Sequence, residues 1–299
     1  VGHGSWTNDD YESYAIRTAY REKPLQEVFS SNRMPPEFDP RNIMIRESCD
    51  SADNPKSTPV ILALDVTGSM GKYAGLIATK ALPKLMTRVL EEQPVTSPHI
   101  MFMGVDDVRD SSHAPLQVSQ FEADIRILEQ LRRIYLVGDG GGNDSEAYDM
   151  PWYFAAKRTI TDSFEKRGEK GFLFTMGDEQ APYVTLTIAE QERTFGPGEY
   201  SDLTPAQTLK LAEKNYHVFH IVIEQGSYCS SRPRQVKDSW TKLMGTSVLF
   251  LSDFEDLDEL VLATMKIVKG RDMEEVIAES TRPAALRHAF QNAIKASEG

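Results

Sequence analysis

From Pro59 onward the chain alternates short apolar runs with segments of helical period. Residues 60–64 form an unbroken apolar run. Residues 74–90 then place Leu76, Ile77, Leu82, Leu85, Met86, Val89 and Leu90 at the spacing of one helix face. Residues 99–105 are the next apolar run, and residues 116–121 predict an adjacent strand after an exposed loop. Ile125, Leu128 and Leu131 mark a helix, and another starts near Tyr148 and carries Tyr153, Phe154, Ala156 and Lys157. Residues 172–176, 218–223 and 248–251 predict three more buried strands, and residues 257–268 a closing helix. Alternation of this kind predicts an α/β fold, a doubly wound, mostly parallel central sheet with helices on both faces. In such sheets ligands bind at the carboxyl ends of the strands, where strand order reverses.

The flanks differ from this core. Residues 1–57 predict an arm packed on the domain, with a short amphipathic helix over residues 8–21, breaks at Pro35, Pro36 and Pro40, and a polar loop from Ser48 to Pro55. Its expected role is to cover apolar surface, with Asp50 and Asp53 as an alternative reach toward the ligand loops. Residues 58–270 form the domain itself. Residues 271–299 predict a C-terminal helix with Ala284, Leu286, Ala289, Phe290 and Ile294 on one side, laid against the domain.

Composition narrows the function classes. Hydrophobic residues make up 40% and charged residues 26% of the 299 positions, the balance of a chain with a substantial core. Net charge is −12, which argues against nucleic acid as a partner, because phosphate binding needs basic surface. No run approaches the length of a membrane span, and the first residues lack the basic and apolar regions of a signal peptide. The two cysteines, Cys49 and Cys229, lie far apart and suggest neither a disulfide framework nor a zinc site, so a reducing cytoplasm is expected.

Candidate chemistry concentrates at Asp65-Val66-Thr67-Gly68-Ser69-Met70, directly after the first apolar run. A buried strand there ends in one carboxylate and two hydroxyls at positions i, i+2 and i+4 of a turn that Gly68 allows to fold tightly. These are hard oxygen ligands suited to a divalent ion that keeps some of its waters. Other readings of the turn remain. Thr67 or Ser69 can cap the next helix. A haloacid-dehalogenase phosphatase would need a second aspartate where Thr67 stands, and a dinucleotide site would need G-x-G-x-x-G where only Gly68 and Gly71 occur.

Asp65-x-Thr67-x-Ser69 resembles the first motif of the metal-ion-dependent adhesion site of von Willebrand factor A domains, and its Asp-x-Thr-Gly-Ser-Met spelling resembles the intracellular and prokaryotic branch. Gly140-Gly141-Gly142-Asn143-Asp144-Ser145-Glu146-Ala147 resembles the Gly-Gly-Gly-Asp-x-Pro-Glu loop of that branch. The segments around Asp106-Asp107 and Glu122-Ala123-Asp124 fit its pattern too, so the likeness runs from about Val60 to Leu251.

The resemblance implies ligands from two further loops. Family members take a threonine from the second loop, and none lies between Gly138 and Tyr148. Asp144 is the first substitute, then Asn143, then Ser145. In the third loop Thr175-Met176-Gly177-Asp178 replaces the usual Thr-Asp-Gly, leaving Asp178 as the outer, water-bridged ligand or Thr175 as a hydroxyl ligand, with Glu179 a solvated neighbour. The implied cofactor is Mg²⁺ or Mn²⁺, and the implied function is an interaction module that captures an Asp or Glu of a protein partner, possible partners including a MoxR-type AAA+ ATPase. A metal-dependent hydrolase and a metal-free scaffold are the alternatives. His99, His113, His217 and His220 are the natural bases for a hydrolase, but none falls in a persuasive catalytic spacing, so catalysis is not expected.

Overall fold

A computed structural model describes residues 31–109, 114–138 and 145–298, together with residues 9, 13 and 29. In chain order the elements are β1 (Arg46–Ser48), β2 (Thr58–Asp65), α1 (Lys72–Leu76), α2 (Leu82–Glu92), β3 (Pro98–Val105), β4 (Leu116–Val118), α3 (Arg126–Leu131) and α4 (Asp149–Lys157). Then follow β5 (Thr159–Thr161), α5 (Asp162–Arg167), β6 (Gly171–Gly177), α6 (Ile188–Phe195), α7 (Pro205–Ala212), β7 (Tyr216–Ile223), α8 (Ser227–Ser231) and α9 (Pro233–Met244). The chain closes with β8 (Val248–Leu251), α10 (Leu257–Val268), α11 (Met273–Glu279), α12 (Pro283–Ala289) and α13 (Gln291–Glu298).

Six strands form the central sheet in the order β4-β3-β2-β6-β7-β8. β4 runs antiparallel to β3, and the other neighbours are parallel. Every residue of β2, β3 and β6 is buried, which is why these strands read as continuous apolar runs rather than alternating ones. Val60, Leu62 and Leu64 pack with α2 and α10 on one face; Ile61 and Ala63 pack with α4, α7 and α9 on the other. The chain leaves β2 toward β3 on one side and later fills β6 on the other. The carboxyl ends of these strands therefore flank the point where strand order reverses.

The helix after β2 is not uniform. Between α1 and α2 the residues Ile77–Ala81 form a π-helical turn. Pro83 supplies the cause: it has no N–H for the carbonyl of Thr79 and its ring crowds that carbonyl, so the preceding turn widens.

Several expectations are corrected. The strand predicted over residues 116–121 stops at Val118, and Glu122 instead makes an isolated antiparallel bridge with Ile100. The single C-terminal helix is three short ones, broken at Ser280-Thr281-Arg282-Pro283, with Leu286, Ala289 and Phe290 buried and Ala284 exposed. The helix expected over residues 8–21 lies outside the described residues.

The described part of the arm, residues 31–57, lies on the domain. Phe38 and Ile43 are buried, Val118 N–H donates to the Phe38 carbonyl, and β1 pairs in parallel with β5. Asp50 does not reach the ligand loops. Its carboxylate accepts from the Ser57 backbone and hydroxyl and from Arg167 at 2.6 Å, beside the start of β2. Eight strand residues, roughly 23 Å of rise, separate that end from Asp65. Among the described residues, no helix is long and apolar enough to cross a membrane.

Candidate metal centre

β2 delivers Asp65 to the sheet's carboxyl rim, where the carboxylate is fully buried. Its Oδ1 accepts from the Thr67 N–H at 2.9 Å and from the Thr67 hydroxyl at 2.6 Å. The Thr67 and Ser69 hydroxyl oxygens lie 3.1 Å apart, and Ser69 Oγ donates to Asp178 Oδ1 at 2.8 Å. The turn thus folds its i, i+2 and i+4 side chains toward one point. The glycine with positive φ in this segment is Gly71, at +52° where the next helix begins, and not Gly68.

Asp178 comes from the end of β6 and is also fully buried. Its Oδ2 accepts from the Tyr228 N–H at 2.8 Å, while Ser227 donates its N–H and hydroxyl to the Ser69 carbonyl at 3.1 and 2.8 Å. The loop after β7 is therefore a fourth contributor, absent from the sequence reading. Gly226 makes it possible, since a Cβ there would stand 2.2 Å from the Asp178 Cβ.

Of the second-loop candidates, Asn143 and Asp144 lie outside the described residues. Ser145 donates to the Gln180 carbonyl at 3.1 Å and so ties this loop to the one after β6. Thr175 bonds within the sheet, its hydroxyl 2.9 Å from His220 Nδ1 and 3.3 Å from the Phe219 carbonyl, rather than with Asp65. His220 is itself buried and stacked on Trp240. It lies inside β7, level with Ala63 through Thr175, rather than at the far edge.

Three residues at the rim escaped the sequence reading. Glu146 is only 1% exposed, and its Oε2 has no hydrogen-bond partner among the described residues. Glu179, expected to be solvated, is buried with an unpartnered Oε2. Tyr148 donates its hydroxyl to Asp65 Oδ2 at 2.6 Å. A signal for Glu146 was present, since it holds the place of the glutamate in the Gly-Gly-Gly-Asp-x-Pro-Glu pattern.

Electrostatics set the character of the rim. Burial, then the neighbouring Asp178 carboxylate, pushes Asp65 up to about 7. Burial, then Asp65, pushes Glu179 up to about 8 and Glu146 to about 11. Burial raises Asp178 as well. So many desolvated carboxylates hold protons unless a cation takes their place.

Whether the residues fit a hard divalent ion is decided by the donor set. Among the described residues, no three His, Cys, Asp or Glu side chains are grouped so as to hold an ion by themselves. The Thr67 and Ser69 hydroxyls would be needed to complete a shell, and Glu146 Oε2 and Glu179 Oε2, buried without a hydrogen-bond partner among the described residues, would be available to it. An all-oxygen set of carboxylates and hydroxyls, without thiolate or imidazole, fits Mg²⁺ or Mn²⁺.

No protein-family model matches the sequence, and no curated protein matches it. Among solved structures the chain is similar to the pilus adhesin SpaC from Lactobacillus rhamnosus GG, at 11% identity over 74% of this chain and 31% of that one, with a TM-score of 0.49. It is similar to a von Willebrand factor type A protein from Catenulispora acidiphila, at 14% identity over 73% of this chain and 44% of that one, with a TM-score of 0.38. It is also similar to proximal thread matrix protein 1 from the mussel byssus, at 14% identity over 73% and 48% of the two chains, with a TM-score of 0.41. The chain spans less than half the length of each of these structures. The fold assignment rests on the strand order and register, not on these similarities.

Proposed function

We propose that this chain is a von Willebrand A-type interaction module whose rim holds one Mg²⁺ or Mn²⁺ ion and captures an acidic side chain of a protein partner. The observation that carries the proposal is the Asp65, Thr67, Ser69 and Asp178 chain of contacts at 2.6, 3.1 and 2.8 Å, with Glu146, whose Oε2 has no partner among the described residues, close enough to Asp65 to feel its charge. Thr67, Ser69 and Glu146 would hold the ion, Asp65 and Asp178 would support it through the hydroxyls they bind, and Asp144 would join from the second loop.

When bound, the cation supplies an open position for a carboxylate oxygen. The chain's own residues do the rest. Asp65 orients Thr67, Asp178 orients Ser69, and the Gly226–Tyr228 loop fixes Asp178. Without the ion the rim offers a partner's carboxylate no positive charge to bind, so recruitment would be gated by metal. A MoxR-type AAA+ ATPase or its client is the partner class we favour.

One observation favours a second reading. The hydroxyls and carboxylates already satisfy one another, as a metal-free scaffold would require. Calorimetry separates the two. Mg²⁺ or Mn²⁺ binding in the wild-type chain that vanishes in Asp65→Ala supports the ion site; no binding in either chain leaves the scaffold. Partner capture that is lost in chelator and in Asp65→Ala then tests recruitment.

A further inference from the structure

Tyr148 occupies a position that the metal reading does not use. It is fully buried, immediately before α4, and its hydroxyl spans two of the rim's loops. It donates to Asp65 Oδ2 at 2.6 Å and accepts from the Glu179 N–H at 3.4 Å. The ring is held from below by Trp240 at 5.4 Å and His220 at 5.1 Å between centroids, both edge to face. Trp240 in turn donates its indole N–H to the Glu179 carbonyl at 2.8 Å. The space for the hydroxyl depends on Gly177, where a Cβ would meet it at 2.0 Å.

The two oxygens of Asp65 are thereby divided. Oδ1 belongs to Thr67 and Oδ2 to Tyr148. A carboxylate with both oxygens engaged by protein donors keeps one orientation, and it turns Thr67 Oγ1 toward Ser69. Groups that orient metal ligands in this way act on affinity without touching the ion.

We propose that Tyr148 is a positioning residue for the ion site, fixing Asp65 through its hydroxyl so that the Thr67 and Ser69 oxygens face a common point. This inference rests on the metal reading. The aromatic packing of Tyr148, Trp240 and His220 carries the fold; the hydroxyl carries the site.

The test uses the full chain and Mn²⁺ as the probe. Calorimetry on Tyr148→Phe is expected to give Mn²⁺ affinity lower by about 10- to 100-fold, with the ion-free melting temperature lowered by no more than the loss of one buried hydrogen bond. The number of waters on bound Eu³⁺, read from luminescence decay in H₂O and D₂O, changes in the same variant. Leu260→Ala, in the core on the opposite face of the sheet, keeps the Tyr148 hydroxyl and serves as the packing control. It is expected to lower the melting temperature while leaving affinity and water number at their wild-type values.

If wild type binds Mn²⁺ and Tyr148→Phe binds it within about twofold, the positioning role is overturned and the metal reading stands. If affinity and melting temperature fall together in both variants, the role is structural and the proposal is likewise overturned. If wild type itself binds no Mn²⁺, the metal reading fails first and this inference falls with it.

Discussion

Ser69 and Asp178, 109 positions apart in sequence, meet through a 2.8 Å hydrogen bond that joins the end of β2 to the end of β6. The two strands are adjacent and parallel, so their carboxyl ends arrive at the same rim. A single side-chain contact thus closes the gap between the first and third ligand loops.

Replacing Asp178 with alanine removes the acceptor that holds Ser69 and leaves the Tyr228 N–H without its partner. A lost buried hydrogen bond of this kind costs about 1–3 kcal/mol. Urea unfolding of Asp178→Ala should report that loss, and calorimetry should report weakened Mn²⁺ binding.

Stability without metal should fall as pH rises. Asp65 and Glu179 are raised in the folded chain to about 7 and about 8, against 3.8 and 4.5 as ordinary values. Between about pH 4 and pH 8 the folded chain holds protons that the unfolded chain has released, so unfolding is increasingly favoured with rising pH in that window. Glu146, raised to about 11, extends the effect to higher pH. Melting temperatures in chelator from pH 5 to pH 8 should decline. Excess Mg²⁺ should flatten the decline, and binding it at pH 7 should release protons. A flat profile in chelator would contradict the buried-acid account.

Gly177→Ala should disturb the site from below. Its new Cβ would collide with the Tyr148 hydroxyl and force the ring out of its slot. Overpacking of this type costs about 1–3 kcal/mol. Denaturant midpoints should show the cost, and the variant should lose Mn²⁺ affinity along with stability.

Away from the rim, Asp258 is wholly buried and is held by Lys84 at 2.9 Å and Arg88 at 2.6 Å, clamping α10 to α2. Asp258→Ala leaves Arg88 with only Glu92 and Glu259 among the carboxylates it now pairs with, and breaking one side of a buried pair costs about 3–5 kcal/mol. Because Lys84 and Arg88 remain partly in water, the lower end of that range is expected in a thermal melt.

Much of this architecture was legible in the residue pattern. The runs around Val60, Phe172 and Val248 are strands because parallel strands buried on both faces cannot alternate. The helix over residues 257–268 was readable from its apolar spacing alone. The break of the C-terminal helix was not, although Pro283 sits at it; a continuous apolar stripe outweighed the breaker. At the site, the first-loop side chains announced themselves because they are close in sequence. Tyr148, Glu179 and the Gly226–Tyr228 loop did not, because their roles arise from register between strands far apart in sequence. Glu179 in particular reads as a surface acid until the Trp240 indole N–H is found bonded to its carbonyl, holding that loop over the core.

The arm's contact with β4 has a consequence for the molecule in a crowded solution. Outermost strands offer unpaired amides to any passing chain, and fibrils grow by that route. Here Phe38 takes the Val118 amide on one side, and α12 and α13 lie against β8 on the other. Both flanks are thereby guarded, and removing the arm should open the β4 edge to self-association.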